Sequence, residues 1–171
     1  IYYYTDDNDA AFDLGNKLIK DGKASAYHYY VVGDILFDRK KYDDAIPFLK
    51  KSLSLGEDDA LHVLGLCYQR KERFDLAILY YEKEFDETRM DDDDYTITKT
   101  NLGMCYSGIK EYKIALKHFK TASLTDPKYL SAFYWKLKTY DNLGRYEEIV
   151  KDCEKHPEFL VDMDVLRSKQ Y

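Results

Sequence analysis

Residues 101–127 read NLGMCYSGIKEYKIALKHFKTASLTDP, and this stretch decides the fold because its pattern of small and large residues recurs along the chain. Two upstream stretches carry similar residue types at the same offsets, one starting at Val32 and the other at Leu64. The chain therefore contains internal repeats of about 34 residues. The residues of the pattern in the quoted stretch are Leu102, Gly103, Tyr106, Ala115, Phe119 and Pro127, and the first five of them have counterparts at the same offsets upstream.

A glycine occupies the same position in each copy. Gly33, Gly65 and Gly103 all fall inside stretches with helical spacing, where Gly costs about 1 kcal/mol relative to Ala. Three such costs at equivalent positions predict that two helices approach each other closely at each glycine. The small partners expected on the second helices are Ala45, Ala77 and Ala115.

The repeated pattern resembles the tetratricopeptide repeat (TPR), whose L-G-x2-Y…A-x3-F…P core it follows, although Lys99 stands where that family usually has Trp. A weaker similarity to Sel1-like repeats begins at Gly56. The TPR resemblance implies an all-α fold, an antiparallel helix-pair solenoid that forms a right-handed superhelix of about three and a half to four repeats plus a C-terminal capping helix. Aromatic residues are expected to begin the second helices, at Tyr42, Phe74, Tyr112 and Tyr146.

The resemblance also implies a single TPR domain over residues 1–171. Its expected parts are a half repeat or N-terminal cap helix at 6–22, repeats at 25–56, 57–89 and 95–127, a degenerate fourth repeat at 128–156, and the capping helix at 158–171. The fourth repeat is degenerate because Leu137 and Ile149 replace its Gly and Ala. At its start, Asp126 is expected to cap a helix that Pro127 begins. The chain opens at Ile1 in mid-pattern, so we expect it to be an excerpt of a longer protein or a processed form.

Charge and composition argue against several classes of function. The 171 residues carry a net charge of −6 with a pI near 5.3 and show no basic stripe, so nucleic acid is not expected as a partner. No apolar run approaches the roughly 18 residues of a membrane span, so no membrane insertion is expected.

Cys67, Cys105 and Cys153 lack CxxC spacing and are expected to be small core residues in a reducing cytoplasm; the alternative is a reactive thiol.

Four consecutive aspartates at residues 91–94 form the sharpest charge run. Oxygen cages for calcium need alternating ligands and a glycine-bearing turn, and the sequence lacks that pattern. Acidic side chains are favoured beside the positive N-terminus of a helix, so we expect a helix to begin at this run.

No constellation of residues indicates catalysis. His28, His62, His118 and His156 are scattered over different repeats, and no HExxH, GxSxG or Gly-rich phosphate loop is present. We therefore expect no catalytic residue, no metal site and no cofactor, and the chain is not expected to be an enzyme. The alternative is a catalytic site in which two acids meet only in the folded chain.

The TPR resemblance implies a peptide-binding groove, because in that family the first helix of each repeat lines a concave face. The Lys, Arg and Asn cluster that grips a chaperone's C-terminal carboxylate is not expected here, since residues such as Asp34 and Met104 stand at those places. The expected groove is apolar and aromatic with scattered acids; the alternative is that neighbouring helices bury several of these side chains. Its residues are Tyr27, Tyr30, Asp34, Phe37, Asp59, His62, Leu66, Arg70, Ile97, Thr100, Met104, Ser131, Tyr134 and Lys138.

The function that the resemblance implies is a non-catalytic scaffold or adaptor that binds a peptide or helix segment of a partner protein in this groove. Two alternatives stay open at this point: a chaperone of a secreted client, and the ligand-sensing TPR half of a peptide-responsive regulator. A Tyr-rich exposed surface would also allow self-association.

Overall fold

The computed structural model describes residues 8–84 and 91–159, and within these ranges the chain forms nine helices and no strand. The prediction of an all-α chain is thus confirmed for the part that the structure describes. The helices are α1 (Asn8–Lys20), α2 (Ala26–Asp38), α3 (Tyr42–Ser54), α4 (Ala60–Arg70), α5 (Phe74–Glu84), α6 (Asp92–Gly108), α7 (Tyr112–Thr125), α8 (Leu130–Asn142) and α9 (Tyr146–Lys155). The expected capping helix at 158–171 lies almost wholly outside the described residues.

The chain divides into two compact units, Ile1–Glu84 and Phe85–Tyr171. Unit 1 contains α1 to α5, and each helix packs against the next because the connecting turns are short. In addition, α2 contacts α4, so the two helices that precede α3 and α5 are neighbours within this unit. Unit 2 contains α6 to α9 in the same succession, and here α6 contacts α8.

The predicted close approach of helices at the repeated glycines is confirmed. A Cβ atom on Gly33 would lie 2.6 Å from Leu49 Cγ, and one on Gly65 would lie 2.4 Å from Tyr81 Cε1. Both distances are far below van der Waals contact, so any larger residue would force the helices apart. Gly103 meets Phe119 in the same way, at 2.6 Å.

The identity of the facing residues corrects the sequence analysis. Ala45, Ala77 and Ala115 are fully buried, as expected of small residues between helices. However, the atoms nearest each glycine belong to a large side chain that follows the alanine by four residues, about one helical turn. These side chains are Leu49, Tyr81 and Phe119. Each crossing therefore fits a knob on the second helix into the gap that a glycine leaves on the first.

The predicted starts of the second helices are confirmed, since α3, α5, α7 and α9 each begin at the expected aromatic residue. The turn before each of them contains one residue with a left-handed backbone, at Lys40, Glu72, Lys110 and Gly144. In each turn the next backbone N–H donates across the turn to a carbonyl of the preceding helix, for example Glu111 N to Tyr106 O at 2.8 Å. This hydrogen bond ends the first helix without a side-chain cap.

Two expectations about helix starts have different outcomes. Asp91 is the N-cap of α6 and accepts a hydrogen bond from the backbone N–H of Asp94 at 2.9 Å, so the expected helix start at the aspartate run is confirmed. The expected start at Pro127 is wrong, because α8 begins at Leu130. Asp126 instead accepts a hydrogen bond from the N–H of Lys128 at 2.9 Å and so stabilises a turn ahead of the helix.

Replacing Gly65 by Ala is expected to lower the free energy of unfolding by about 1–3 kcal/mol, because the new methyl group would overlap the Tyr81 ring in a fully buried contact. Urea unfolding followed by circular dichroism measures this cost. In a Tyr81→Ala background the same replacement should cost much less, since the ring that the methyl group meets is gone. An equal cost in both backgrounds would contradict the crossing described here.

Candidate functional site

Eight of the predicted groove residues lie in unit 1, on or beside two helices that contact each other. Their spacing of three or four residues along α2 places the α2 members on one side of that helix. Asp59 immediately precedes α4. The residues on α2 and α4 are Tyr27, Tyr30, Asp34, Phe37, His62, Leu66 and Arg70.

Tyr30 is the half-buried residue around which the acidic groups of unit 1 gather. Burial and the negative charges of Asp59, Glu57 and Asp38 raise the pKa of Tyr30 to about 12, so its phenol remains a neutral hydrogen-bond donor. The Tyr27 ring lies 6.2 Å from the Tyr30 ring, centroid to centroid, and Tyr27 is 45% exposed. These residues form a surface with two aromatic rings and several carboxylates.

Asp34 is the most deeply buried acid of this group, with 7% of its surface exposed. Burial and the charge of Asp38 raise the pKa of Asp34 to about 6, and the neighbouring His62 acts in the opposite direction. We name the four residues Asp34, Asp38, Glu57 and Asp59, together with Tyr30, the acidic face of unit 1. A raised carboxyl pKa means that the ionised form lacks sufficient stabilisation from its surroundings.

The ion pairs of residues 8–84 leave this acidic face without a positive partner. Glu84 binds His62, with 2.9 Å between the carboxylate and Nδ1, so the predicted groove residue His62 is engaged with α5. None of the other pairs within that range includes a residue of the acidic face. These pairs are Arg39–Asp9, Lys71–Asp43 and Arg73–Asp75.

The other groove residues predicted in unit 1 have mixed exposure. Phe37 is half-buried, and its ring lies 5.6 Å from that of Tyr42, at the turn into α3. Leu66 is half-buried on α4, whereas Arg70 is exposed at the end of that helix. Exposed surface for a ligand therefore concentrates at Tyr27, Asp59 and Arg70 within the predicted set.

The predicted residues of unit 2 lie on α6 and α8, which contact each other. Thr100 is 2% exposed, and its hydroxyl donates to the carbonyl of Thr96 at 2.8 Å, so it offers almost no surface to a ligand. Ile97, Met104, Ser131 and Tyr134 are half-buried, and Lys138 is exposed.

Three residues of these surfaces were missed by the sequence analysis. Asp38 stands four residues after Asp34, a spacing that places both on one side of a helix and could have revealed it. Glu57 joins the group only through the fold, because it lies in the turn before α4. Trp135 is half-buried beside Tyr134, with ring centroids 5.6 Å apart, and the Lys138 ammonium lies 4.7 Å from its ring centroid.

The cysteines of the described residues are free thiols, of which Cys67 and Cys105 are buried and Cys153 is half-buried. Burial raises the pKa of the Cys67 and Cys105 thiols to about 12, so neither is a thiolate near neutral pH. Burial and the charge of Asp152 also raise the pKa of Cys153. In residues 8–84 and 91–159, no group of three His, Cys, Asp or Glu side chains could hold a metal ion.

Comparison with protein families identifies two repeats in the sequence. Residues 26–59 and residues 60–94 each match a tetratricopeptide repeat model. The two segments are therefore TPR repeats, as the pattern of glycines and aromatic residues predicts. None of the helices within the described ranges has the length and apolarity needed to cross a membrane.

Solved structures confirm the predicted helix-pair solenoid fold. The crystal structure of YrrB, a TPR protein with an unusual peptide-binding site, matches 99% of this chain and 87% of its own with a TM-score of 0.80 and 22% identity. The crystal structure of MamA matches 92% of this chain and 91% of its own, with a TM-score of 0.78 and 21% identity. At this level of identity, the comparison establishes the fold alone.

Two curated proteins are related in sequence over part of their length. The uncharacterized protein ycf37 of Guillardia theta is 30% identical over 95 residues, which cover 52% of this chain and 51% of that protein. The TPR domain-containing protein PYG7, chloroplastic, of Arabidopsis thaliana is 30% identical over 115 residues, covering 64% and 37% respectively. The chain thus spans about half of the first relative and a smaller share of the second.

Replacing Asp34 by Asn is expected to raise the free energy of unfolding at about pH 7.5 by about 2–3 kcal/mol, because it removes a buried charge whose folded pKa is about 6. The gain should shrink as the pH falls from about 6 to 4 and vanish below that window, where the carboxyl is neutral in both the folded and unfolded chain. Urea unfolding across this pH range measures it.

The matched control is Asp13→Asn, which changes an exposed acid on α1. It should alter the free energy of unfolding by no more than about 0.5 kcal/mol at any of these pH values. A stabilisation by Asp34→Asn that persisted unchanged at about pH 3.5 would contradict the burial of an ionised carboxylate.

Proposed function

We propose that this chain, which carries TPR repeats at residues 26–59 and 60–94, is a non-catalytic interaction scaffold. It binds a peptide or helix segment of a partner protein along the predicted groove residues. Solenoids of helix pairs leave one face of their first helices available for such segments. The peptide-binding site of the similar protein YrrB is consistent with this proposal.

The observation that carries the proposal is the acidic face of unit 1. Its carboxylates surround Tyr30, no ion pair of residues 8–84 neutralises them, and the pKa of Asp34 is raised to about 6 by burial and by Asp38. An arrangement that destabilises the free protein is typical of a site that a ligand completes. The missing component is a positive charge.

The acidic face therefore favours a partner segment that contains Lys or Arg. A guanidinium or ammonium group can pair with the exposed Asp59 and also lie over the rings of Tyr27 and Tyr30, and its charge would stabilise the ionised form of the more deeply buried Asp34. A cation over an aromatic ring contributes about 0.5–1 kcal/mol at an exposed site, and a charged hydrogen bond about 1.5–3 kcal/mol. Together these contacts select a basic segment over a neutral one.

Non-catalytic function is the better proposal because the site lacks an activated nucleophile. The charge of Asp34 acts on the Cys67 thiol, and the pKa of that thiol, about 12, keeps it protonated. Asp34 alone could act as a base, but a base without a nucleophile or an oxyanion donor does not define a reaction. The net charge of −6 also favours a protein partner over nucleic acid.

The cellular location stays a proposal as well. The three cysteines form no disulfide among the described residues, which fits a reducing compartment such as the cytoplasm. The Arabidopsis relative PYG7 is chloroplastic, which makes an organelle the competing proposal. Microscopy of the full-length protein, tagged at its C-terminus, distinguishes the two.

Selection of 12-residue peptides from a displayed random library tests the proposed function. Peptides that bind the chain are expected to be enriched in Lys and Arg, and their affinity should fall at least about tenfold for Tyr30→Ala and for Asp34→Asn/Asp59→Asn. Fluorescence polarisation of the selected peptides measures these affinities.

The control variant is Asp13→Asn, which removes one negative charge from α1, outside the acidic face, and should leave the affinity unchanged within about twofold. Enrichment of acidic peptides, or selected peptides that bind all variants equally, would contradict binding at the acidic face.

A further inference from the structure

Unit 2 contains a cleft that the predicted groove does not include. It lies between the C-terminal half of α7, the turn after it, α8 and the end of α9, and its volume is about 400 Å³. Phe133 and Tyr140 line the cleft and are themselves almost fully buried, whereas Leu124, which also lines it, is 83% exposed. The polar residues that line it are Lys120, Ser123, Lys136, Asp152, Lys155 and His156.

The charge of this cleft is opposite to that of the chain. The protein has a net charge of −6, yet three lysines and one histidine line the cleft against a single carboxylate. Lys136 is largely buried and already pairs with that carboxylate, with 3.0 Å between its ammonium and Asp152. The pair accounts for one positive charge and leaves two lysines.

The two remaining lysines form no ion pair in the described part of the chain, although the charge of Lys120 acts on Glu148, which already pairs with Arg145. Neither Lys120 nor Lys155 forms an ion pair with a carboxylate of residues 8–84 or 91–159. The Lys120 ammonium instead lies 5.6 Å from the ring centroid of Tyr140, a residue of the cleft. Two unpaired ammonium groups beside a partly enclosed space produce a positive potential that attracts an anion.

A buried hydroxyl adds a second, independent observation. Ser123 Oγ is inaccessible to solvent and has no hydrogen-bond partner among the described residues. Buried hydroxyls are normally hydrogen-bonded, so this hydroxyl is a donor that an acceptor in the cleft could use. Asp152 Oδ2, 3.0 Å from the Lys136 ammonium, is the other buried oxygen of the lining without a hydrogen bond. A carboxylate oxygen would supply that acceptor.

We propose that this cleft binds an acidic segment of a partner protein, with an Asp or Glu carboxylate between Lys120 and Lys155 and an adjacent aliphatic side chain on Leu124. The carboxylate accepts hydrogen bonds from the two ammonium groups, and the apolar edge provides the area that an isolated small anion would not use. This inference rests on unit 2 alone and does not depend on the acidic face of unit 1.

The lengths of the cationic side chains explain why the site discriminates by charge rather than by shape. Lys120 is exposed on α7 and Lys155 is the last residue of α9, so each can adjust its ammonium position to an incoming carboxylate. Phe133 and Tyr140, by contrast, are held in the core of unit 2 and form a fixed apolar wall. The site thus combines a rigid surface with two adaptable charges.

NMR titration of the full 171-residue chain with the probe peptide acetyl-Gly-Leu-Glu-Glu-Leu-Gly-amide tests the proposal. The backbone amide signals of Ser123, Leu124 and His156 are expected to shift with a single dissociation constant. The peptide in which Gln replaces both Glu residues should cause no saturable shift. Equal shifts by the Glu and Gln peptides would overturn the role of the carboxylate.

Charge-neutralising variants test the residues themselves. Lys120→Gln and Lys155→Gln are each expected to weaken binding of the Glu peptide about threefold, and the double variant about tenfold. The matched control is Lys151→Gln, one helical turn earlier on α9 and outside the cleft, which should leave the affinity unchanged. Equal effects of Lys151→Gln and Lys155→Gln would overturn the site, because only overall charge would then matter.

Two further measurements complete the test: a variant that removes a negative charge from the cleft, and a titration with inorganic phosphate. Asp152→Asn removes the cleft's own carboxylate, so it should tighten binding of the Glu peptide; circular dichroism checks that the variant is folded, and weaker binding by the folded variant would overturn the assignment. Inorganic phosphate should shift the same amides only at higher concentration. Saturation by phosphate at an equal or lower concentration would overturn the peptide segment as the occupant and assign the cleft to small anions.

Discussion

The structure depends on the close approach of two helices at each glycine of the repeated pattern, Gly33, Gly65 and Gly103. At Gly65 the Tyr81 ring lies where a Cβ atom would stand, and the ring is completely buried. A helix pair that packs this closely excludes water along its whole contact, although each glycine costs about 1 kcal/mol in helix propensity. Because the contact repeats, each pair presents the same side to its neighbours, and α2 comes to lie beside α4.

That arrangement explains why charge is distributed so unevenly. In unit 1, α2 and the start of α4 bring several carboxylates close to Tyr30, and burial raises the pKa of Asp34 to about 6. In unit 2, α7, α8 and α9 bring lysines to one cleft. The buried carboxylate of Asp34 reduces the stability of the free chain near neutral pH, since its pKa is raised. Such a cost is typical of a surface that a partner completes. The two binding sites proposed above would favour segments of opposite charge.

The sites could be predicted from the sequence only in part. Family resemblance led to Tyr30 and Asp34, because their positions follow from the repeat pattern. It could not show that His62 binds Glu84 or that Thr100 donates its hydroxyl to Thr96, because those contacts depend on side-chain geometry. Glu57 and Lys155 carry no motif at all. They belong to their surfaces only because turns and helix ends meet there.

The sequence by itself determined the helix pairs, the aromatic residues at which the second helices begin and the small residues where the helices cross. These features follow from the repeat of about 34 residues in the sequence. Only the tertiary structure decided which large side chain fits each glycine, where α8 begins, and which charged groups of residues 8–84 and 91–159 form ion pairs. The physical reason is distance. Helical periodicity constrains neighbours within a few turns, whereas ion pairing and desolvation depend on groups that are far apart in the chain and adjacent only after folding.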